Sequence, residues 1–292
     1  MQKLPLTEGM YKDIPNDVYH ADRKAISKSW LDRVAKSPLH LRQYLDTPHK
    51  STLALVLGSA VDCLVFEPEK FDDLFTKSPY DDKGVPHNKR TKAGKEAWAE
   101  AIEVAKESGK TIIECHLTDY FTECREMADA ITGNGLMKEI LQDGVGQVTF
   151  IAQDPVTGLI RKCKTDNYHE GSNAVCDLKT AVDASPYEFA RSIAKFRYHV
   201  QDSYYSDIIA DVVGSQPSFM FAVLEKPSKG VKPDSGMMAF YQLTEAEKNA
   251  GRDTWQSDMA AIAFALDTGE WAGYADQVIE IERPQWARNR DQ

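Results

Sequence analysis

The chain has 292 residues, 42% hydrophobic and 27% charged, with a formal net charge of −10 at pH 7. That length can bury a substantial core, and the composition is that of an ordinary soluble globular protein rather than a disordered or fibrous one. No apolar run approaches a bilayer span, and the opening MQKLPLTEGM lacks the apolar stretch of a signal peptide. Cys63, Cys115, Cys124, Cys163 and Cys176 are odd in number and form no CxxC pair, which argues against a disulfide framework, a zinc site or an iron–sulfur cluster and predicts a cytoplasmic setting. The acidic balance speaks mildly against a non-specific nucleic-acid coat, yet it is compatible with an enzyme that has one basic channel.

In chain order, Ser27 is placed to cap a helix through about Ala35, and Ser37-Pro38 restarts a second short one. Residues 53 to 66 are almost wholly apolar, interrupted by Gly58, Ser59 and Asp62, which predicts a buried helix with one carboxylate. Residues 77 to 95 are polar and turn-rich and crowd Lys83, Lys89, Arg90, Lys92 and Lys95 together, ahead of a helix from about Ala93 to Glu107. A short strand from Thr111 to Glu114, a helix through Ile131 and another after Gly135 complete a helical part over about 22–142. A sheet core over about 145–241 follows, the two together making one domain of 1–292. It starts with a hairpin, Gln147 to Gln153 against Leu159 to Thr165. Strands from Asn173 to Thr180, Ser218 to Leu224 and Met237 to Tyr241 come next, with helices from Ser185, Tyr198 and Thr244. Strands embedded among helices predict an α/β (α+β) fold with a mixed central β-sheet flanked by helices.

Residues 161 to 180 read RKCKTDNYHEGSNAVCDLKT. Asp166 ends one strand-like run, and Asp177-Leu178-Lys179 lies inside the next, where side-chain alternation puts Asp177 and Lys179 on one face. Two carboxylates and a lysine at a hairpin edge can hold a hard divalent cation and set a water against a phosphodiester. A D-x-K triplet alone is weak: it occurs three times here, and its plain reading is a surface ion pair worth about 0–1 kcal/mol. Asp62 adds a carboxylate in an apolar helix, where an unpaired charge is costly, although it could instead cap a neighbouring helix. Gln201 and Tyr205, four apart, share a helix face.

The series GSAVDCLVFEP, TD, DLKT and HVQDSYY, with ISKSWLD at the start and PQWA at the end, resembles the exonuclease domain of RecE-type recombination nucleases. These are phage- and prophage-associated members of the PD-(D/E)xK superfamily, related to the RecB and lambda exonuclease groups. The resemblance runs from about Ile26 to Trp286. It implies catalytic roles for Asp166, Asp177 and Lys179, with Gln201 and Tyr205 contacting substrate near the metals. It also implies two Mg²⁺ ions, with Mn²⁺ as an alternative, on Asp62, Asp166, Asp177 and the Leu178 carbonyl. Thr165 stands where the family has proline, and Asp62 where RecE-type and RecB-type proteins carry histidine.

The function so implied is 5′→3′ degradation of linear duplex DNA by a ring tetramer, yielding 3′ single-stranded tails for a RecT-like single-strand annealing partner. Ser27, Lys28 and Ser29 at a helix start could anchor a 5′-phosphate or form a simple cap with a solvated lysine. Lys89, Arg90, Lys92 and Lys95 could track phosphates or line a solvated loop. Two competing readings are an endonuclease on the same fold and a DNA-binding recombination protein whose catalysis has decayed. The aromatic end, with Trp271, Tyr274 and Trp286, suggests core or subunit packing.

Overall fold

The computed structural model describes residues 3–47, 51–115, 119–228, 230–275, 277–283 and 285. The chain opens with a short strand β1 (Gly9–Tyr11) and the helices α1 (Asn16–Ala21), α2 (Lys28–Val34), α3 (Pro38–Asp46) and α4 (Leu53–Phe66). Next come α5 (Phe71–Leu74), β2 (Phe75–Lys77), α6 (Lys92–Ser108), β3 (Thr111–Ile113), α7 (Tyr120–Gly133) and α8 (Gly135–Gln142). The sheet region holds β4 (Val145–Gly146), β5 (Thr149–Gln153), β6 (Ile160–Lys164), β7 (Asn167–His169) and β8 (Ala174–Ala181). The helices α9 (Pro186–Phe196) and α10 (Tyr198–Val213) lead to β9 (Ser218–Glu225), β10 (Met238–Tyr241) and α11 (Glu245–Thr268). Of the aromatic end, Trp286 lies outside the described residues. Trp271 packs against the core, and Tyr274 meets His40 edge-on.

The main sheet has the order β10-β9-β8-β7-β4 and is mixed, since β8 and β9 run parallel while the other pairs are antiparallel. Alternation along the two central strands divides the core. Val175, Phe219, Phe221 and Val223 face one cluster with α2, α9, α10 and α11. Cys176, Leu178, Ala222 and Leu224 face another with α4, α7 and β3. Strands β8 and β9 are covered on both sides, so they read as apolar runs, and polar residues inside them stand out.

The hairpin expected to begin the central sheet belongs elsewhere: β5 and β6 pair with β1 in a separate three-stranded sheet. The two strands of one ladder bend together from that sheet into the main one. On one strand the bend is at Gln147, whose φ is +55°. On the other it is at Thr165-Asp166. The ladder continues through the corner, with Gln147 N–H donating to the Asp166 carbonyl at 3.0 Å and Thr165 N–H to the Val148 carbonyl at 2.9 Å. An irregularity of this kind bends a strand and re-aims its side chains, and it is favoured beside functional sites. Thr165 supplies an N–H here that a proline lacks.

All five cysteines are buried and free. No described helix is long and apolar enough to cross a membrane.

Candidate functional site at the edge of the central sheet

The corner places Asp166 where β7 stops pairing with β8. The last paired positions are Asn167 and Cys176, so the Leu178 N–H has no strand partner on that side. The Asp166 carboxylate takes its place, with Oδ2 accepting from Leu178 N at 2.8 Å. The N–H and C=O of an extended residue project to the same strand edge, so the Leu178 carbonyl also faces the Asp166 side.

Asp177 and Lys179 lie on the α10 face of β8. Gln201, 8% exposed, donates its amide to Asp177 Oδ1 at 2.5 Å. Asp177 Oδ2 is buried without a hydrogen bond and meets the Lys179 ammonium in an ion pair. That ammonium lies 5.0 Å from the Tyr198 ring centroid. Burial pushes the Lys179 pKa down, but the charges of Asp177 and Asp166 outweigh it and hold the amine firmly protonated.

Asp62 arrives on α4, whose Ala60, Val61, Cys63 and Val65 are packed in the second core cluster. Its carboxyl pKa is raised well above the ordinary range, first by burial and then by the Asp166 charge, with Asp177 adding to it and Lys179 opposing. Burial and Asp177 likewise push Asp166 up to about 7, against Lys179 and the Leu178 N–H. Three carboxylates thus share one field with a single amine, a surplus of negative charge that suits a cation.

Among the described residues no group of three His, Cys, Asp or Glu side chains stands in ready metal-ligand geometry. The donor set nonetheless fits a hard divalent ion: three carboxylates that share one field, and a carbonyl on the same edge.

Gln201, expected to touch substrate, donates its amide to Asp177 and so also holds that carboxylate. Tyr205 stands edge-on to Phe219, with centroids 6.4 Å apart. Gln201 and Tyr205 also line a cavity of about 140 Å³ with Ser27, Lys28 and Ser29, so the structure brings these five expected residues together. Ser27 occupies the cap position of α2 without a side-chain cap bond. The Lys28 ammonium is committed to Asp32 at 2.8 Å and the Phe196 carbonyl at 2.7 Å, which ties α2 to the α9–α10 junction. The four basic residues at the start of α6 stand apart. Lys89 pairs with Glu114 at 2.8 Å and lies 3.9 Å from the Trp98 ring centroid. None of the four lines the cavities beside Gln201 or Lys179.

Two contributors were not evident in the sequence. Arg197 joins α9 to α10 in the left-handed region, at φ +56°. Its guanidinium binds the Leu31 carbonyl at 2.9 Å, Asp32 at 3.4 Å and Asp258. This fixes the start of the helix that carries Gln201. Tyr198 supplies the ring beneath Lys179. Neither has a local signature, because each acts through residues far away in the chain.

A mixed sheet whose central strand carries D-x-K, with a second aspartate at the adjoining corner and a Gln/Tyr helix packed over it, defines a PD-(D/E)xK nuclease-like domain. The family model for the PDDEXK-like domain of unknown function (DUF3799) matches residues 27–281, and the chain belongs to that family. Among solved structures it is similar to a presumed exonuclease from Eubacterium rectale, with TM-score 0.61 and 16% identity over 94% of this chain and 98% of that one. At that identity the likeness shows the fold. A phage-related exonuclease from Haemophilus somnus 129PT is 13% identical over 64% of this chain and 92% of that one, at TM-score 0.31. The comparison with curated proteins gives no match.

Proposed function

We propose that the chain is a metal-dependent exodeoxyribonuclease that degrades one strand of linear double-stranded DNA 5′→3′ and leaves 3′ single-stranded tails for recombination by single-strand annealing. The observation that supports the nuclease reading most directly is the meeting of Asp166, Asp177 and Lys179 at the free edge of β8 within the field of Asp62. Asp166, Asp177 and the Leu178 carbonyl would hold one Mg²⁺, and Asp62 with Asp166 a second. Bound there, the ions would stabilise the charge on the entering and departing oxygens of an in-line displacement.

The chain's own residues do the rest. Lys179, held protonated, donates to the attacking water and to the phosphate. Gln201 holds one oxygen of Asp177, and the other meets the Lys179 ammonium, which a metal ion there would displace or share. The cavity shared by Ser27, Ser29, Gln201 and Tyr205 also has Arg23 in its wall, which suits the terminal phosphate of a strand, while Lys162 there is committed to Asp22 at 3.1 Å and the Tyr19 carbonyl at 2.6 Å. Strand polarity, the ring tetramer and an annealing partner are supported by the resemblance to RecE-type nucleases.

The test is digestion of linear duplex labelled separately at each end, with and without Mg²⁺, beside covalently closed circular duplex. The expected result is Mg²⁺-dependent release from the 5′ end only, with the circle intact. Cutting of the circle would make the protein an endonuclease, and no release from either end would make it a decayed, DNA-binding relative.

A further inference from the structure

A second groove, of about 570 Å³, opens beside Lys179 between the end of β8 and α9. We propose that it is a track for a single-stranded segment of the DNA substrate, in which Lys195 and Lys226 hold backbone phosphates and Phe196 stacks an unpaired base. The proposal rests on the nuclease reading above and adds where the strand runs next to the reacting phosphate.

The charge pattern is the first argument. Lys179, Arg191, Lys195 and Lys226 line the groove against Asp183 and Glu188. Most of these are committed: Lys179 to Asp177, Arg191 to both Glu188 oxygens at 2.8 and 3.1 Å, and Asp183 to the Ser185 N–H at 2.8 Å. Lys195 and Lys226 are exposed and make no ion pair among the described residues. On a chain of net charge −10, two uncommitted ammoniums lining one groove that reaches the catalytic lysine attract a polyanion there. Their backbones are fixed, Lys195 in the last turn of α9 and Lys226 by its N–H to the Ala181 carbonyl at 2.7 Å.

The aromatic pattern is the second argument. Phe196 is 47% exposed and stacks on Tyr198, with centroids 5.6 Å apart and planes at 29°. Tyr198 in turn lies beneath the Lys179 ammonium. An aromatic ledge therefore runs from solvent to the catalytic amine. A base inside a duplex has both faces covered by its neighbours, so apart from a terminal pair only an unpaired base can lie on that ledge. The Lys195 ammonium, 5.1 Å from the Phe196 ring centroid, sits on a flexible stem that lets it move to a phosphate as the base takes the ring.

The experiment measures anisotropy of a fluorescein-labelled oligothymidylate and of a blunt duplex, in EDTA so that nothing is cut, across a salt series. Lys195→Glu/Lys226→Glu is expected to weaken oligothymidylate binding at least about tenfold at low salt and to flatten its log–log salt slope by about 1.4, two phosphates at about 0.7 each. Phe196→Ala is expected to weaken it roughly 5- to 100-fold with the slope kept. Phe196→Ala should change duplex affinity less than about twofold, because interior bases of a duplex cannot reach the ring, and Lys195→Glu/Lys226→Glu should weaken the duplex less than oligothymidylate. Unchanged oligothymidylate affinity and slope, or no binding by the unaltered protein, overturns the track. An equal loss for duplex overturns its single-strand character. Mg²⁺-dependent release of nucleotides from linear duplex is measured on the same samples. Release by the unaltered protein with unaffected variant binding removes the track and leaves the nuclease. Reduced variant binding without any release keeps the track and removes the nuclease.

Discussion

Gln201 on α10 donates to Asp177 on β8 at 2.5 Å, so a helix, rather than the strand alone, sets the angle of the central carboxylate. Replacing Gln201 with Leu leaves a buried Asp177 oxygen without its donor, which should cost about 1–3 kcal/mol of stability. If Gln201 positions a metal ligand, the half-saturating Mg²⁺ concentration should rise about 10- to 100-fold as well. Calorimetry and a Mg²⁺ titration of nuclease activity check the two effects, and a stability loss with unchanged Mg²⁺ dependence would make the contact purely structural.

Asp177→Asn keeps the shape of the side chain and removes its charge. Hydrolysis with Mg²⁺ should fall by more than about a hundredfold, while circular dichroism still shows the parent's fold at 25 °C. Full activity would refute the assignment of Asp177.

Asp62 offers hard oxygens where the resemblance to RecE-type nucleases implies an imidazole. Asp62→His should move the preference from Mg²⁺ toward Mn²⁺, because imidazole suits transition metals better than Mg²⁺. The ratio of initial rates in the two ions is the measurement, and a rise of about tenfold or more is expected.

Asp202 is buried in α10, with Oδ1 accepting from Ser206 at 3.1 Å and Oδ2 making no hydrogen bond. Burial raises its pKa to about 7, against the opposing Lys248 charge and the Ser206 bond. The folded state therefore binds this proton more tightly than the unfolded chain does. The contribution is fully present below about pH 4 and is lost as pH rises through about 7. Asp202→Asn should stabilise the protein at pH 8, by on the order of 2 kcal/mol, and do little at pH 4. Unfolding midpoints at the two pH values decide it.

Lys92 and Lys95 are exposed at the start of α6 and pair with no acid among the described residues. If they track phosphates, reversing both charges should weaken duplex binding and reduce the salt slope by about 2. Unchanged affinity at low salt would leave the cluster as a solvated helix end.

The sequence made the central strands legible because a sheet covered on both faces needs unbroken apolar runs, against which Asp177 and Lys179 stand out. The α4 helix was legible for the same reason, with Asp62 its lone carboxylate. The second sheet was not. Strand β1 is three residues long and takes its register from Gly9 opposite Ile151, a pairing that no local pattern encodes. The corner at Gln147 and Asp166 was equally hidden, since the alternation on either side continues unbroken. Arg197 was missed because a left-handed residue between two helices carries no mark unless it is Gly or Asn.

That corner also makes the site depend on a strand far from it. Asp166 reaches the Leu178 N–H, 12 positions on, from a ladder that bends between two sheets, and one of those sheets includes β1, whose Gly9 lies opposite Ile151. A change in β1 would therefore reach the candidate metal position through the backbone, without touching any side chain of the site.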